Sequence, residues 1–312
     1  MESNELPLVS IQCLVYNHEP YLRQCLDGFV MQKTNFKFEA IVHDDLSTDG
    51  SAAIIREYAE KYPDIIKPIF ETENQYSKHD GSLDRIMHEA CKGKYIALCE
   101  GDDYWIDPLK LQKQVDFMEA NPDYSLCFHN VMRLYENEKK RPNAFNSLRE
   151  SCDISLQQII SSWIIPTASI CVKSLVFKHY PLWTKEIYSG DLTLSLIAYD
   201  LGKIRYLNDC MSVYRICSTN SSATAALRMK EAGFLQSEHI KLYNYYNTYT
   251  NGRYNKIISS HIKKLEKEKI YKINASKFLG SDHPPLCTLN FVFKSVFIAS
   301  RILFVLGMGT SV

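Results

Sequence analysis

Three carboxylates fall within four residues at Glu100-Gly101-Asp102-Asp103, directly followed by Tyr104-Trp105. The run before them, Tyr95-Ile96-Ala97-Leu98-Cys99, is apolar and reads as a strand. Such a strand carries its acids to the carboxyl edge of a sheet, where open α/β folds take their ligands. Crowded carboxylates repel one another, and a hard divalent cation shared with phosphate oxygens offsets that repulsion. The competing explanation is a polar turn that caps the helix opening near Asp107-Pro108. A second acid pair, Asp44-Asp45, is followed by Ser47-Thr48-Asp49-Gly50 and also ends a strand-like run. It suits a ligand rich in donors, such as a base or a ribose, or else a capped turn. Asp191 stands ahead of a helical stretch, and on spacing alone it is an N-cap.

These acids need elements to position them, and the first half of the chain supplies an alternation. Strand-like runs at 8–15, 38–42, 65–70 and 95–99 alternate with helical patterns at 21–32, about 47–58, 83–91 and 109–119. In the second of these helical patterns Ile54, Ile55 and Tyr58 repeat at helical spacing behind a turn. This rhythm implies α/β architecture with a mostly parallel sheet and right-handed crossovers. Further strands are expected at 124–134, 169–173, 204–207 and 212–216, and a helix at 191–201. The charged segment 136–150 reads as a loop or lid. Polar Ser218-Thr219-Asn220-Ser221-Ser222 marks a boundary, beyond which helices dominate. Neither a GxGxxG nor a GxxxxGK[ST] pattern occurs, so the sheet is neither a dinucleotide-binding nor a P-loop one.

With 312 residues the chain has room for one large or two modest domains. Its net charge is zero but uneven: residues 1–226 carry 23 Lys/Arg against 31 Asp/Glu, and residues 227–312 carry 13 against 5. An acidic front body argues against nucleic acid as a partner. The ten cysteines sit mostly in apolar patterns and form no CxxC pair. With no signal peptide ahead of Pro7, this points to reduced thiols and a cytoplasmic protein. Of the nine histidines, His18, His43, His79, His88 and His129 are scattered without metal-ligand spacing.

Taken jointly, Val9-Ser10-Ile11 through Tyr16-Asn17, Tyr21-Leu22, Cys25-Leu26, the 44–50 segment, Gly93-Lys94-Tyr95-Ile96 and Glu100-Gly101-Asp102-Asp103 form one ordered pattern. Over residues 7–216 it resembles the family-2 glycosyltransferases of the GT-A fold. The resemblance implies a Rossmann-like sheet flanked by helices, a nucleotide-sugar donor, Mn²⁺ or Mg²⁺, and displacement with inversion at the anomeric carbon. It places Tyr16, Glu19, Asp44 and Asp45 on the nucleoside side, with Arg85, Asp103 and Arg215 in the donor set. Asp102 matches the last acid of the DxD metal motif, and Glu100 stands where its first acid would be. Asp191 matches the catalytic base, although Gly190 replaces the Glu expected before it. Tyr214-Arg215-Ile216-Cys217 has Cys217 where the family carries His. Trp105, Trp163 and Thr167 are acceptor-side expectations.

The resemblance implies a GT-A domain over about 1–220, with a nucleotide-sugar half to about 105 and an acceptor half beyond. Residues 221–312 form a helical C-terminal extension. Within it, 286–306 is apolar apart from Asn290, Lys294, Arg301 and small hydroxyls. That composition fits either a monotopic helix on the inner face of an anionic membrane, near a lipid-linked saccharide acceptor, or a helix packed in a homo-oligomer or on the domain. A nucleotidyltransferase and a non-catalytic nucleotide-sugar-binding protein remain as alternatives. Against the first, Tyr16-Asn17-His18-Glu19-Pro20 occupies the place of a glycine-rich loop.

Overall fold

The alternation expected from the sequence is present and builds one large sheet. The computed structural model describes residues 6–136, 140–216 and 230–279. The order begins β1 (Val9–Val15), α1 (Glu19–Val30), β2 (Phe38–Asp44), α2 (Ser51–Lys61), β3 (Ile66–Phe70), α3 (Ser82–Ala90), β4 (Tyr95–Leu98). It continues through β5 (Tyr104–Trp105), α4 (Lys110–Ala120), β6 (Tyr124–Tyr135), β7 (Asn143–Ala144), β8 (Cys152–Asp153), α5 (Leu156–Ser161), β9 (Cys171–Lys173) and α6 (Leu175–Lys178). The remaining elements are α7 (Gly190–Leu201), β10 (Lys203–Ile216), α8 (Phe234–Tyr249) and α9 (Asn255–Leu279).

Strand order is β3-β2-β1-β4-β9-β6-β10-β5, with β7 added to β6 and β8 to β10. The run from β3 to β4 is parallel. Past β4 the sheet becomes mixed, because β9 lies antiparallel to both β4 and β6. The chain leaves β1 toward β2 and β3 on one side and returns to β4 on the other. β1 is therefore the switch point, and a crevice opens beyond the carboxyl ends of β1, β2 and β4. Central β1 is buried on both faces, which explains its nearly unbroken apolar sequence.

Two apolar layers cover the sheet. One packs Leu22, Leu26 and Phe29 of α1, Ile55 of α2 and Leu111 and Val115 of α4 against β1 and β2. The other joins Leu196 and Ile197 of α7 with Ile159 and Ile160 of α5, Leu242, Tyr243 and Tyr246 of α8 and Ile258 of α9. The two described helices of the C-terminal extension thus share a core with the sheet. Residues 218–222 and 286–306, where a boundary and a membrane-surface helix were expected, lie outside the described residues. No helix among the described residues is long and apolar enough to cross a membrane.

Two expectations change. The strands foreseen at 204–207 and 212–216 are a single one, because register shifts on either side of Cys210 absorb the Asn208-Asp209 interruption. The expected lid at 136–150 is, over its described residues, docked on the sheet. β7 pairs with β6, Phe145 is buried, and Arg133 Nη2 donates to the Phe145 carbonyl at 2.8 Å.

Helix α1 meets the strand after the acid cluster at its closest point. A Cβ on Gly28 would lie 2.9 Å from the Trp105 backbone nitrogen and 3.1 Å from its carbonyl oxygen. In an exposed helix Gly→Ala gains about 1 kcal/mol. Here the sign reverses, because backbone cannot yield as a flexible side chain would. We expect Gly28→Ala to cost about 1–3 kcal/mol by overpacking, read as a lower urea midpoint. A midpoint at or above wild type would show that this approach has slack.

Candidate active site

The crevice is walled first by the loops after β1 and β2, which hold each other. Asn17 sits in the left-handed region at φ 57°, and so does Leu46 at φ 64°. Asn accepts that conformation readily, whereas for Leu it is strained and persists only where its surroundings impose it. The Asn17 N–H donates to Ser47 Oγ at 2.9 Å, and the Thr48 N–H donates to Asn17 Oδ1 at 2.7 Å. The His18 N–H donates to Ser51 Oγ at 3.0 Å, and the Glu19 N–H donates to Asp49 Oδ2 at 3.0 Å.

Against that clamp the nucleoside-side residues divide. Tyr16 is 42% exposed at the rim. Glu19 accepts the Gly50 N–H through Oε2 at 2.8 Å, so its carboxylate caps the start of α2. Asp45 is saturated by protein: Oδ1 accepts from Gln75 N–H at 2.6 Å and Oδ2 from Tyr76 N–H at 3.0 Å. Asp44 is buried, yet only Oδ2 has a partner, the Ser47 N–H at 3.3 Å. Its Oδ1 is buried without one among the described residues. Such an oxygen is costly unless a ligand donates to it. Asp44 is therefore the better placed of the pair to meet a bound base or ribose.

The acid cluster after β4 is split by burial. Asp103 turns inward, 2% exposed, and its Oδ1 accepts the backbone N–H of Arg215 at 2.9 Å, tying this turn to β10. Burial, then Asp102, pushes its proton affinity well above the ordinary carboxylate range. Glu100 and Asp102, both half-buried, follow the carboxyl end of β4 where the crevice opens. Burial first, then the charges of Asp102 and Asp191, push Glu100 up to about 8. Asp191 opens α7 and lies close enough to Glu100 to be felt electrostatically. Its own affinity is raised by burial, against the Leu192 N–H, which donates to Asp191 Oδ1 at 2.8 Å, and the nearby Trp163 indole. The structure thus brings together Glu100, Asp102, Asp191 and Trp163 from three separate stretches of chain.

Other expected residues are placed differently. Trp105 is 2% exposed, edge-on to Phe29, with its indole N–H donating to the Ala168 carbonyl at 3.0 Å. It is a core residue and leaves the acceptor set. Thr167 is half-buried in a 3-10 turn leading to β9. Arg85 is exposed on α3 and makes no ion pair among the described residues. Arg215 is 5% exposed, sandwiched 4.5 Å from the Tyr104 ring and 5.1 Å from the Tyr21 ring, with Nη2 donating to Gln24 Oε1. It closes the inner wall, held by aromatic faces. Tyr180, which the sequence did not single out, is half-buried near Asp84 and Asp191, whose charges add to desolvation in raising its phenol.

Among the described residues no three His, Cys, Asp or Glu side chains converge into a protein-only metal site. Glu100 and Asp102 instead form a two-carboxylate pair with uncompensated charge. That donor set fits Mg²⁺ or Mn²⁺, which complete their shells with phosphate oxygens and water, and does not fit structural zinc.

Against known proteins, a family model described as glycosyl transferase family 2 matches residues 10–177. The chain belongs to that family. It is 38% identical over 210 residues to an uncharacterised protein of Mycobacterium tuberculosis, covering 66% of this chain and 58% of that one. It is 27% identical over 247 residues to an uncharacterised glycosyltransferase of Nostoc, covering 76% and 74%. Among solved structures, a mannosyltransferase from Pyrobaculum calidifontis in complex with GDP-Man and Mn²⁺ aligns with a TM-score of 0.57 at 18% identity, covering 95% of this chain and 81% of that one. TarS of S. aureus in complex with UDP-GlcNAc aligns at 0.55 and 16% identity, covering 75% and 65%. At such identities the likeness shows the fold, here of GT-A type.

In this family-2 chain the raised Glu100 has a stability consequence. Between the ordinary Glu value of 4.5 and about 8, the folded chain holds a proton that the unfolded chain has released. Stability therefore falls as pH rises across that window, and levels off above it. Glu100→Gln removes this titration, so its melting temperature should fall less than wild type between pH 5 and pH 8.5. An equal fall in both proteins would mean that Glu100 is already ionised at the lower pH.

Proposed function

We propose that this chain is an inverting glycosyltransferase, moving a sugar from a nucleotide-diphosphate donor to a hydroxyl on a saccharide or lipid-linked saccharide. We place it in surface polysaccharide or glycolipid assembly on the cytoplasmic side, at the inner face of the membrane. The observation that carries the reading is the juxtaposition of Asp191 with the Glu100–Asp102 pair in a desolvated crevice at the switch point. A carboxylate facing a metal-type acid pair across a gap is what direct displacement requires: one group to receive a proton, and another site to hold the leaving diphosphate.

In this reading Asp44 Oδ1 accepts from the base or ribose, Tyr16 flanks the nucleoside, and Asp45 and Glu19 shape the pocket through the loops they tie. Glu100 and Asp102 would hold Mn²⁺ or Mg²⁺, whose charge would neutralise that developing on the leaving group. Asp103 fixes the turn that presents them. Asp191 takes the proton of the acceptor hydroxyl as it attacks, and its burial raises its basicity toward that task. The Trp163 indole lies beside that carboxylate and opposes part of the rise. A single carboxylate opposite the leaving group suffices for inversion. The named ligands of the two solved neighbours, GDP-Man with Mn²⁺ and UDP-GlcNAc, support a nucleotide-sugar donor here.

A thermal-shift panel of nucleotide diphosphates and nucleotide-sugars with Mn²⁺ identifies the donor, since ligand binding raises apparent stability by mass action. Asp102→Ala should fold normally and lose the Mn²⁺-dependent part of that shift. An unchanged shift would remove the metal pair from the donor site. Asp191→Asn should keep the shift while turnover falls by about two orders of magnitude or more. Loss of donor binding and stability together would make Asp191 a structural cap. Donor binding without turnover in wild type would favour a non-catalytic nucleotide-sugar-binding protein.

A further inference from the structure

Helix α9 has one face that no described residue covers. Its opposite side is committed: Ile258 and Leu265 enter the core shared with α5 and α8, and His261 lies edge-on to Tyr243 of α8 at 5.3 Å. On the far side Lys256, Ser260, Lys263, Lys267, Ile270 and Asn274 are all exposed. At about 100° per residue these positions fall within about 40° of one line, which runs about 27 Å along the helix. Lys263 and Lys267 stand one turn apart, where like charges destabilise a helix. Elsewhere the exposed cations have carboxylates at hand, as in Lys94–Glu119 at 2.6 Å, Lys203–Asp123 at 2.7 Å and Arg253–Asp200 at 2.7 Å. Among the described residues Lys256, Lys263 and Lys267 form no ion pair. Glu268 is taken by Lys264 at 3.9 Å, and Glu266 lies about 80° round the helix from the line.

Charge and shape select the partner. All three unpaired cations are lysines, point charges on flexible stems, which suit a diffuse anionic plane better than a bidentate phosphate site. Ile270, 60% exposed, stands in the same stripe and puts an apolar group at the level of the basic ones, as in a helix lying at a headgroup boundary. A convex helix face offers no groove to a peptide. The charge of the whole chain is divided to match. Residues 1–226 carry 23 Lys/Arg against 31 Asp/Glu, and residues 227–312 carry 13 against 5. An anionic plane therefore repels the catalytic body and attracts the end that holds α9.

We propose that the 256–274 face of α9 is a docking surface for an anionic lipid bilayer, with Lys256, Lys263 and Lys267 among the headgroups and Ile270 at their level. This rests on the inner-face placement proposed above and names the surface responsible for it. The stripe is separate from the crevice residues, so its removal leaves donor binding unchanged. It is also separate from the apolar stretch 286–306, which lies outside the described residues and is not needed for the argument.

The test is co-sedimentation of the full chain with vesicles, one set of phosphatidylcholine and one with a third of it replaced by phosphatidylglycerol. We expect wild type to bind the anionic set about ten-fold or more above the neutral one, with the difference shrinking as salt is raised. The triple variant Lys256→Gln, Lys263→Gln, Lys267→Gln should weaken anionic binding about a hundred-fold, at about five-fold per lysine. Its melting temperature should stay at or above wild type, because glutamine matches lysine in helix propensity and the repulsion between positions 263 and 267 is gone. A control, Lys78→Gln, Lys94→Gln, Lys203→Gln, removes the same net charge from ion-paired sites and should weaken binding less than about three-fold. An unchanged α9 variant, or a control that loses as much, overturns the proposal. Equal binding of wild type to both sets overturns it too, while leaving the inner-face placement to another apolar contact. Binding to neither set sinks both, and the donor panel, which involves no membrane, still judges the transferase reading.

Discussion

Negative charge without a counter-charge is the constraint around which this protein is arranged. Glu100, Asp102 and Asp191 are drawn from a strand end and a helix start far apart in sequence, and burial makes their mutual repulsion stronger than it would be in water. Left alone, that arrangement destabilises the fold, and Glu100 answers by holding a proton up to about pH 8. The fold tolerates it because the neighbouring backbone is over-determined. Asp103 anchors the turn to β10, and Gly101 lets it pass where a Cβ would lie 2.7 Å from His18 Nδ1.

Beneath the acids the core carries a cation that forms no ion pair with them among the described residues. Lys110 is fully buried, 3.9 Å from the Trp105 ring centre, with Nζ donating to Gln114 Oε1 at 2.7 Å. Burial lowers its proton affinity to about 8, so the site beneath the acid turn is itself only weakly committed to charge. Gln114 passes the contact on to the Ser169 carbonyl at 2.9 Å, linking α4 to the turn before β9. Cys25 and Cys99 both donate to the Glu100 carbonyl, at 3.5 and 3.7 Å. The acid turn therefore rests on soft, polar packing whose geometry is fixed even though its charge is not.

Much of this was legible in the sequence because it is written locally. Apolar runs ending in acids marked β2 and β4, and the strand–helix rhythm marked a mostly parallel sheet, while the switch at β1 emerged only from the strand order. What stayed hidden was set by contacts across long stretches of chain. No spacing rule reveals that both Asp45 oxygens are taken by Gln75 and Tyr76, or that Asp44 Oδ1 is left over. Trp105 looked like a site residue by adjacency, but strands alternate faces, and the residue two places past Asp103 points the same way, into the core. The clamp between Asn17 and Ser47 had a faint signal, an Asn directly after a strand, where left-handed backbone is tolerated. Leu46 had none, because its strained φ is imposed by neighbours on both sides.

The two halves of the site differ in what holds them. The donor side is fixed by strand ends inside the family-matched region, residues 10–177. Asp191 lies beyond it, and its helix is steadied by the C-terminal extension. Leu196 and Ile197 of α7 share a core with Leu242, Tyr243 and Tyr246 of α8. Ser189, two residues before Asp191, meets His239 Nε2 of α8 at 3.2 Å. Burial lowers His239 to about 4, so near neutral pH this contact involves an uncharged imidazole and adds no charge beside the base. Tyr243 then fastens α8 to α5 through the Ile160 carbonyl at 3.2 Å, three residues before Trp163. The base and the neighbouring aromatic ring are thus braced by the same helix. Movement of α8 would shift both together and change their distance from the acid pair that follows β4.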